Sequence, residues 1–226
     1  FWKVNSLEEA TKVIYSLSIP LVVKADGLAS GKGVFIPNSK DECLRAAESI
    51  FNGKFGDSGN VVVLEEKIQG PEVSVFALCD GEKYILLPTA QDHKRLNEKD
   101  KGPNTGGMGA YSPAPLLTED SLDTIVKEII DPTINELKKR NIDYRGVIYF
   151  GLMITEVGAK VIEYNCRFGD PECQTIMPLM DQSFVSLLEK CSMGKLTGNE
   201  KINTSDKVSG CVTVSYTHLT LPTSSR

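Results

Sequence analysis

The chain has 226 residues, 41% of them hydrophobic and 24% charged, with a net charge of -5 at pH 7. This balance predicts a folded protein and excludes both a disordered chain and a general nucleic-acid-binding protein, which would need a basic surface. No apolar run approaches the ~20 residues of a membrane span and the first residues lack the pattern of a signal peptide, so we expect a cytoplasmic protein without nucleic-acid or membrane partners. The 6 cysteines lack CxxC spacing and the 2 histidines are too few for a convincing zinc site, which predicts reduced thiols.

Helix and strand patterns alternate in the first part of the chain. Ser6 with Glu9, and Ser39 with Glu42, have capping-box spacing, and apolar residues follow each pair at helical period, which predicts two helices. Apolar runs predict strands at 21–24, 34–36, 61–66, 73–79 and 84–88. The first two strands flank a glycine-rich loop and are predicted to form a hairpin. The pattern indicates an α+β fold.

The pattern changes after residue 90. Glycines and prolines interrupt residues 91–115, which are predicted to form a long loop. Thr118 is predicted to cap a helix that Pro132 interrupts or restarts. Strands are predicted at 147–154 and 160–165, joined by a turn near Gly158, and a last helix at 184–191 that ends near Gly194.

The end of the last predicted strand carries residues suited to metal and phosphate binding. Glu163, Asn165 and Arg167 alternate along the strand, so they are expected to point to the same side. Carboxylate and carboxamide oxygens suit Mg²⁺, which usually takes one or two protein carboxylates and leaves its other positions to phosphates and water. Arg167 adds a planar fork of donors for a phosphate. The alternative is a solvated strand end, but three polar residues in register before a Gly-Asp-Pro turn favour a binding site.

The glycine-rich loop at 25–33 is a second candidate site. It lacks the GxxxxGK[ST] spacing of a P-loop, and no GxGxxG motif follows a strand, which argues against both P-loop and Rossmann nucleotide sites. Two interpretations remain. The loop is a flexible connector, or its backbone N–H groups cover phosphates while Lys24 and Lys32 add positive charge.

Further polar residues follow the predicted strands. Glu65 ends one strand and Glu72 follows it closely, although by themselves these acids fit a solvated strand end better than a binding site. Residues 91–95 and 102–109 place many polar groups in the predicted loop, which suits a phosphorylated or zwitterionic small substrate. His93 is a candidate general base or a structural histidine.

Five motifs occur in a fixed order: VVKADGLASGKGV (22–34), LEEKI followed by PEVSV (64–68 and 71–75), QDHKR (91–95), GPNTGGMGAYSPAP (102–115) and VIEYNCRFGDPE (161–172). Together they resemble the glycinamide ribonucleotide synthetase family, the phosphoribosylamine-glycine ligases of the ATP-grasp superfamily. The resemblance runs from about Leu7 to about Val214. It implies an ATP-grasp α+β fold with ATP held between two lobes, and ligation of glycine to 5-phosphoribosylamine through glycyl phosphate in purine biosynthesis.

The resemblance also implies roles for individual residues. ATP would be bound by Lys24, Gly27, Ser30, Gly31, Lys32 and Gly33 at the phosphates, by Glu65 and Ile68 at the adenine, and by Glu72 at the ribose. Glu163 and Asn165 would bind Mg²⁺ or Mn²⁺, Arg167 would steady the transferred phosphoryl group, and Asp170 would meet a substrate amine. The substrates would be bound by Asp92, Lys94, Arg95, Asn104 and Thr105.

The resemblance covers part of the family's pattern. It implies an ATP-grasp domain over 1–214, with a smaller lobe at about 15–90 and the larger lobe in the remainder, while the amino- and carboxy-terminal domains of the family are expected to be missing. Residues 215–226 no longer follow the family and are predicted to be a disordered or artefactual tail, so His218 receives no role. Two functions remain: a glycine-activating ligase, and a truncated module that binds ATP without completing the ligation.

Overall fold

The structure, a computed structural model, describes residues 1–27, 29, 33–98, 101–180, 184–198, 200, 202 and 206–213. It divides into two units, residues Phe1–Gln69 and a second unit that begins at Gly70. The tail predicted at 215–226 lies outside the described residues.

Among its described residues, the first unit combines a four-stranded antiparallel sheet with two α-helices. Its elements are β1 (Trp2–Val4), α1 (Leu7–Ser16), β2 (Leu21–Ala25), β3 (Val34–Phe35), α2 (Lys40–Ser49) and β4 (Val62–Glu66). The strand order is β1–β4–β2–β3, and the pairing of β2 with β3 confirms the predicted hairpin. Alternate residues of β2 and β4 are buried against the helices in one core, formed by Leu21, Val23, Val62, Leu64, Ala10, Ile14, Ala46 and Ala47.

Serine caps start both helices, as predicted. Ser6 Oγ accepts a hydrogen bond from Glu9 N at 3.2 Å, and Glu9 Oε2 accepts one from Asn5 N at 2.8 Å. Ser39 and Glu42 repeat the arrangement at the start of α2. These bonds satisfy backbone N–H groups in the first turn of the helix, and just before it, that have no acceptor within the helix. The spacing of the two side chains therefore predicts where each helix begins.

The second unit is built on antiparallel sheets. Its strands are β5 (Glu72–Asp80), β6 (Tyr84–Leu86), β7 (Gln91–Asp92), β8 (Arg95–Asn97), β9 (Lys101–Asn104), β10 (Gly109–Ser112), β11 (Arg145–Thr155), β12 (Gly158–Asn165) and β13 (Ser209–Val212). Its helices are α3 (Glu119–Ile125), α4 (Asp131–Lys139), α5 (Glu172–Ile176) and α6 (Phe184–Ser192). The sheets have the orders β12–β11–β5–β6, β13–β10–β7 and β8–β9.

The four predicted strands of the central sheet are confirmed as β5, β6, β11 and β12. β5 pairs with β11 and with β6, so both β5 and β6 belong to the second unit. The smaller lobe predicted at about 15–90 therefore extends past the first unit, which ends at Gln69. Sequence patterns identify the strands but do not reveal which distant strand each one pairs with.

β5 separates two apolar cores because its side chains alternate between the faces of the central sheet. One face packs on the helical segment after Thr118 through Val73, Val75, Ala77, Cys79, Ile125, Ile130 and Ile134. The other packs on α5 and α6 through Phe76, Leu78, Ile176, Leu187 and Cys191. The central sheet is therefore covered on both faces, and the polar ends of its strands rest on a tightly packed support.

The prediction of a long loop at 91–115 is wrong, because the segment contains β7, β8, β9 and β10. These strands have two to four residues each. They are too short for an alternating pattern, and their pairing is partly distant, since Gly109 pairs with Val212. A side chain at Gly109 would meet Cys211 O at 2.6 Å, so glycine here permits close strand approach rather than marking a loop.

Of the four α-helices given for the second unit, α3, α4 and α6 occur where the sequence predicted helix. Thr118 Oγ1 accepts a hydrogen bond from Ser121 N at 3.2 Å at the start of α3. A π-helical segment, Val126–Ile130, joins α3 directly to α4, which has Pro132 in its first turn, so the helix continues past the proline. α6 confirms the last predicted helix, and Gly194 follows it at φ 68°. α5 and β13 were not predicted. Within the described ranges, no helix is long and apolar enough to cross a membrane.

The buried Asp80 carboxylate joins two parts of the second unit. Its Oδ1 accepts hydrogen bonds from Glu82 N at 3.1 Å and Lys83 N at 2.7 Å, and its Oδ2 accepts one from Leu196 N at 2.8 Å. We expect Asp80→Ala to lower the free energy of unfolding by about 3 kcal/mol, because three amides lose a charged acceptor. Urea unfolding followed by circular dichroism measures the change.

Glu82→Ala is the matched control for Asp80→Ala. The Glu82 side chain lies in the same turn but is 84% exposed, and its ion pair with Lys138 is 3.9 Å long. Its removal is expected to change the free energy of unfolding by less than about 0.5 kcal/mol. Equal effects of the two substitutions would contradict the role of Asp80.

Candidate functional site

A β-bulge decides which side chains of β12 reach the candidate site. Glu163 pairs with Gly151 of β11, whereas Val161 pairs with the next residue, Leu152, so β12 has one extra residue at this position. A bulge of this kind changes the side of the sheet toward which the following side chains point. Val161 therefore packs in the core with Leu152, while Glu163 and Asn165 face the opposite side of the sheet.

Neighbouring strands bring further polar residues to this side. Ser74 of β5 pairs with Gly151, and Tyr149 of β11 pairs with Asn165. Directly paired residues, and residues two apart on one strand, point to the same face. One face of the central sheet therefore carries Glu72, Ser74, Tyr149, Glu163 and Asn165, and the prediction that Glu163 and Asn165 share a face is confirmed.

Arg167 and Asp170 lie beyond β12 and are exposed. Because β12 ends at Asn165, Arg167 does not continue the alternation, and the prediction that it is the third residue in strand register is wrong. Its Nη1 donates to Phe168 O at 2.7 Å. Asp170 Oδ1 accepts a hydrogen bond from Gln174 Nε2 at 2.7 Å. Both side chains are therefore held locally at the edge of the site.

Lys94 brings two acids together. Its Nζ lies 3.1 Å from Glu72 Oε2 and 3.9 Å from Asp92 Oδ2. Burial lowers the pKa of the Lys94 ammonium, but Tyr149, Asp92 and Glu72 together raise it by more, so the pKa ends above its ordinary value. Lys94 therefore stays charged, and the structure places these predicted ATP-binding and substrate-binding residues in one cluster.

The Asp92 carboxylate is costly to ionise because its side chain is 4% exposed. Burial raises the pKa of Asp92 to about 6, Lys94 opposes the rise, and the charges of Glu172 and Glu72 add to it. The folded chain therefore binds this proton more tightly than the unfolded chain does. The protonated carboxyl contributes stability below about pH 4, and that contribution is lost as the pH rises through about 6.

We expect Asp92→Asn, which cannot ionise, to match the unsubstituted chain in free energy of unfolding near pH 4. At pH 8 the variant is expected to be more stable, by up to about 3 kcal/mol. Urea unfolding at both pH values measures the difference, with the exposed Asp123→Asn as the control for an acid-to-amide change. The same advantage at pH 4 and pH 8 would contradict the raised pKa.

The other predicted substrate-binding residues hold the backbone around Lys94. Thr105 donates to Lys94 O through its N at 2.7 Å and through its Oγ1 at 2.9 Å. Arg95 donates from Nη1 to Gly102 O at 2.9 Å and pairs through its backbone with Asn104. The Asn104 side chain lies outside the described part of the structure. These contacts fix the loop that carries Lys94.

In the first unit, Lys24 and Glu65 form an ion pair. They lie on the neighbouring strands β2 and β4, and Lys24 Nζ is 2.5 Å from Glu65 Oε2. Ile68 follows β4 and is half-buried. The fold of this unit therefore brings the predicted phosphate-binding lysine against one of the residues predicted to lie at the adenine.

Gly27 and Gly33 frame the glycine-rich loop. Gly27 N donates to Ser58 O at 3.2 Å, and a Cβ on Gly27 would lie 2.6 Å from Ser58 Cα, so this position has no room for a side chain. Gly33 O accepts a hydrogen bond from Ala25 N at 2.9 Å, which closes the base of the hairpin. The predicted ATP-binding residues Ser30, Gly31 and Lys32 lie outside the described residues.

Three further residues of the site had no predicted role. Glu172 is 2% exposed at the start of α5, and Ser74 Oγ donates to its Oε1 at 2.9 Å. Ser74 Oγ is also 3.1 Å from Tyr149 Oη. Burial raises the pKa of Tyr149, Lys94 opposes the rise and Glu172 adds to it, so Tyr149 remains a neutral hydroxyl. The sequence signal for Ser74 is its spacing of two from Glu72.

The oxygen donors of Glu163 and Asn165 fit a hard divalent cation. They are two residues apart on one strand and face the same way, with Gly151 opposite Glu163. Among the described residues, no group of three or more His, Cys, Asp and Glu side chains is arranged to hold a metal ion. The pair therefore fits a cation such as Mg²⁺ that takes most of its ligands from phosphate oxygens and water.

Comparison with known proteins gives consistent matches. The family model described as phosphoribosylglycinamide synthetase, ATP-grasp (A) domain, matches residues 1–173. The chain is 50% identical over 196 residues to a phosphoribosylamine--glycine ligase of Leptospira interrogans, which covers 86% of this chain and 46% of that protein. The crystal structure of the phosphoribosylamine--glycine ligase of Thermotoga maritima has a TM-score of 0.84 and 33% identity, over 93% of this chain and 53% of that chain.

More distant structures share the fold. The biotin carboxylase domain of Hydrogenobacter thermophilus 2-oxoglutarate carboxylase, crystallised with MgADP, ADP and bicarbonate, has a TM-score of 0.68 and 20% identity over 91% of this chain and 43% of that chain. The predicted ATP-grasp α+β fold is confirmed by these matches. The chain spans about half the length of the curated ligases it matches.

Proposed function

The chain belongs to the phosphoribosylglycinamide synthetase family and carries its ATP-grasp domain, and on that basis we propose that it takes part in the ligation of glycine to 5-phosphoribosylamine. ATP would be the co-substrate, and the products would be glycinamide ribonucleotide, ADP and phosphate. The observation that carries the proposal is the sheet face shared by Glu72, Glu163 and Asn165, which combines a predicted ribose-binding acid with two oxygen donors.

The nucleotide-binding residues of each unit have distinct proposed roles. In the first unit, Lys24 and the loop residues Gly27, Ser30, Gly31, Lys32 and Gly33 neutralise and cover the phosphates, while Glu65 and Ile68 bind the adenine. In the second unit, Glu72 accepts hydrogen bonds from the ribose hydroxyls. Glu163 and Asn165 hold Mg²⁺ or Mn²⁺, which when bound neutralises phosphate charge and orients the phosphoryl group.

The proposed reaction has two displacement steps. A carboxylate oxygen of glycine attacks the γ-phosphorus of ATP, the bond to the β-phosphate oxygen breaks, and glycyl phosphate and ADP form. The amine of phosphoribosylamine then attacks the glycyl carbonyl, phosphate leaves with the former glycine oxygen, and the amine loses a proton. Such chemistry needs positioning and charge neutralisation more than covalent catalysis by the protein.

The charges of Arg167, Asp170 and Lys94 are opposite to those of the substrate groups that they would meet in these steps. Arg167 would steady the transferred phosphoryl group, and Asp170 would receive a substrate amine. The charged Lys94, held by Glu72 and Asp92, would face the anionic groups of the substrates. Arg95, Asn104 and Thr105 would position the loop that carries it. We place the protein in the cytoplasm, where the thiols of Cys43, Cys79 and Cys191 remain reduced.

A ligase chimera tests this proposal. In the chimera, residues 1–213 replace the matching segment of the Leptospira interrogans relative, because this chain spans 46% of that protein. ADP release is expected to require both glycine and phosphoribosylamine. Release that is independent of glycine, or supported equally by other amino acids, would contradict the proposed function.

A second candidate function is a module that binds MgATP without completing the ligation, since the residues proposed to bind the nucleotide and the cation all lie within this chain. Titration calorimetry of this chain with MgATP tests the shared element of both functions. Saturable binding below about 1 mM is expected, the upper range of typical enzyme affinities. Absence of heat at higher concentrations would contradict nucleotide binding by this chain.

A further inference from the structure

Because Gly151 has no side chain, two neighbouring side chains on the same sheet face lie close to the position that its Cβ would occupy. A Cβ on Gly151 would lie 3.0 Å from Glu163 Cγ and 3.1 Å from Tyr149 Cε1, both closer than side-chain contacts normally allow. The stem of Glu163 and the ring of Tyr149 therefore flank the same position from two sides. Because both atoms lie so close to one point, the Tyr149 ring is a neighbour of the Glu163 stem across Gly151.

The Tyr149 ring is itself fixed at both ends. Its hydroxyl lies 3.1 Å from Ser74 Oγ, and Ser74 Oγ donates to Glu172 Oε1 at 2.9 Å. Phe76 packs edge-on against the ring, with centroids 5.2 Å apart at 74°. Ser74 and Glu172 are 1% and 2% exposed, so water does not compete with this chain of hydrogen bonds.

Glu172 is anchored in turn by a close approach of the backbone. A Cβ on Gly169 would lie 2.3 Å from Glu172 Oε2, so the absence of a side chain at this position leaves room for the carboxylate. Cys173 N donates to Gly169 O at 3.1 Å, and Thr175 Oγ1 donates to Glu172 O at 2.7 Å. These two bonds hold the backbone at Glu172, and Ser74 holds its buried carboxylate.

We propose that Tyr149 is the positioning residue for Glu163, and that Ser74 and Glu172 hold the Tyr149 hydroxyl so that the carboxylate faces the cation. The inference rests on the proposed role of Glu163 as a metal ligand. Pairing with Gly151 sets the face on which Glu163 lies, whereas the rotation of its side chain depends on the neighbouring side chains.

The test measures metal affinity and nucleotide affinity separately in this chain. Electron paramagnetic resonance of free Mn²⁺, referred to ATP alone at the same concentration, gives the added affinity for the cation that the chain confers, and calorimetry without a divalent cation gives the affinity for ATP. We expect Tyr149→Phe and Gly151→Ala each to weaken Mn²⁺ binding by about tenfold, a typical effect of losing support for a metal ligand. Metal-free ATP binding is expected to stay within about twofold of the unsubstituted chain, because the ribose and phosphate contacts remain.

Two matched controls separate positioning from general damage. Tyr84→Phe removes another hydroxyl bonded to a carboxylate, Asp131 Oδ1 at 2.6 Å, and Gly210→Ala adds a methyl group to a strand position whose nearest neighbour is 3.9 Å away. Neither change is expected to alter Mn²⁺ affinity. Ser74→Ala combined with Tyr149→Phe is expected to weaken Mn²⁺ binding no more than Tyr149→Phe alone, because both act through one hydrogen-bond chain.

The outcomes distinguish this inference from the proposed function. If the unsubstituted chain binds Mn²⁺ together with ATP, and Tyr149→Phe and Gly151→Ala bind it with the same affinity, only the positioning role is overturned. Absence of any Mn²⁺–ATP complex in the unsubstituted chain would overturn the proposed function and the positioning role with it. If Gly151→Ala fails to fold, Tyr149→Phe decides the result, since its ring and packing are retained.

Discussion

Replacing Glu163 with glutamine is expected to lower the glycine-dependent release of ADP by the ligase chimera about 10³-fold. The substitution keeps the size of the side chain and its place on β12, but removes the negative charge. Asn165, the other oxygen donor of the pair, is neutral, so the variant would hold the cation through neutral oxygens alone. The γ-phosphate would then lack much of the positioning on which phosphoryl transfer depends.

Glu156→Gln is the matched control for Glu163→Gln. Glu156 is exposed in the turn that joins β11 to β12, so the same chemical change occurs in the same hairpin but away from the site. Its ADP release is expected to stay within about twofold of the unsubstituted chimera. Full activity of Glu163→Gln would rule out Glu163 as a metal ligand.

Replacing Lys24 with methionine is expected to weaken MgATP binding by this chain between about tenfold and a hundredfold, the cost of losing one charge-assisted contact to phosphate. Methionine keeps the unbranched stem but loses the ammonium. It also leaves Glu65 without the ion pair at 2.5 Å, which adds an uncompensated negative charge near the nucleotide. Titration calorimetry of the chain with MgATP gives the change in affinity.

Lys3→Met provides the comparison for Lys24→Met. Lys3 also lies on a strand of the first unit and also pairs with an acid, since its Nζ is 2.7 Å from Asp26 Oδ2, but its side chain is 54% exposed. Its loss is expected to change MgATP affinity by less than about threefold. If both lysine variants bind MgATP equally well, the phosphate-binding role proposed for Lys24 is contradicted.

The elements that sequence patterns predicted correctly have local causes. The starts of α1 and α2 follow from Ser6 and Ser39, whose caps involve residues three positions away. β5 and β11 contain the long apolar runs that strands buried on both faces require. The four strands within 91–115 were missed because strands of two to four residues are defined by their partners rather than by their own pattern.

The sequence predicted only part of the candidate site, because the rest depends on contacts between distant parts of the chain. Alternation along β12 predicted that Glu163 and Asn165 face one way, and the pairing confirms it. The bulge before Glu163 and the end of β12 at Asn165 follow from tertiary pairing, so the position of Arg167 was mispredicted. Ser74 meets its partners Tyr149 and Glu172 across 75 and 98 residues, and no spacing in the sequence records such contacts.

The route taken by one oxygen atom tests the proposed chemistry most directly. The ligase chimera is supplied with glycine labelled with ¹⁸O in its carboxylate, together with MgATP and phosphoribosylamine, and the released phosphate is analysed by mass spectrometry. If glycine is activated as glycyl phosphate, each phosphate carries one ¹⁸O atom from glycine, because the glycine oxygen bonded to phosphorus leaves with it. Formation of the ligated product with unlabelled phosphate would contradict an acyl phosphate intermediate and the function proposed for this chain.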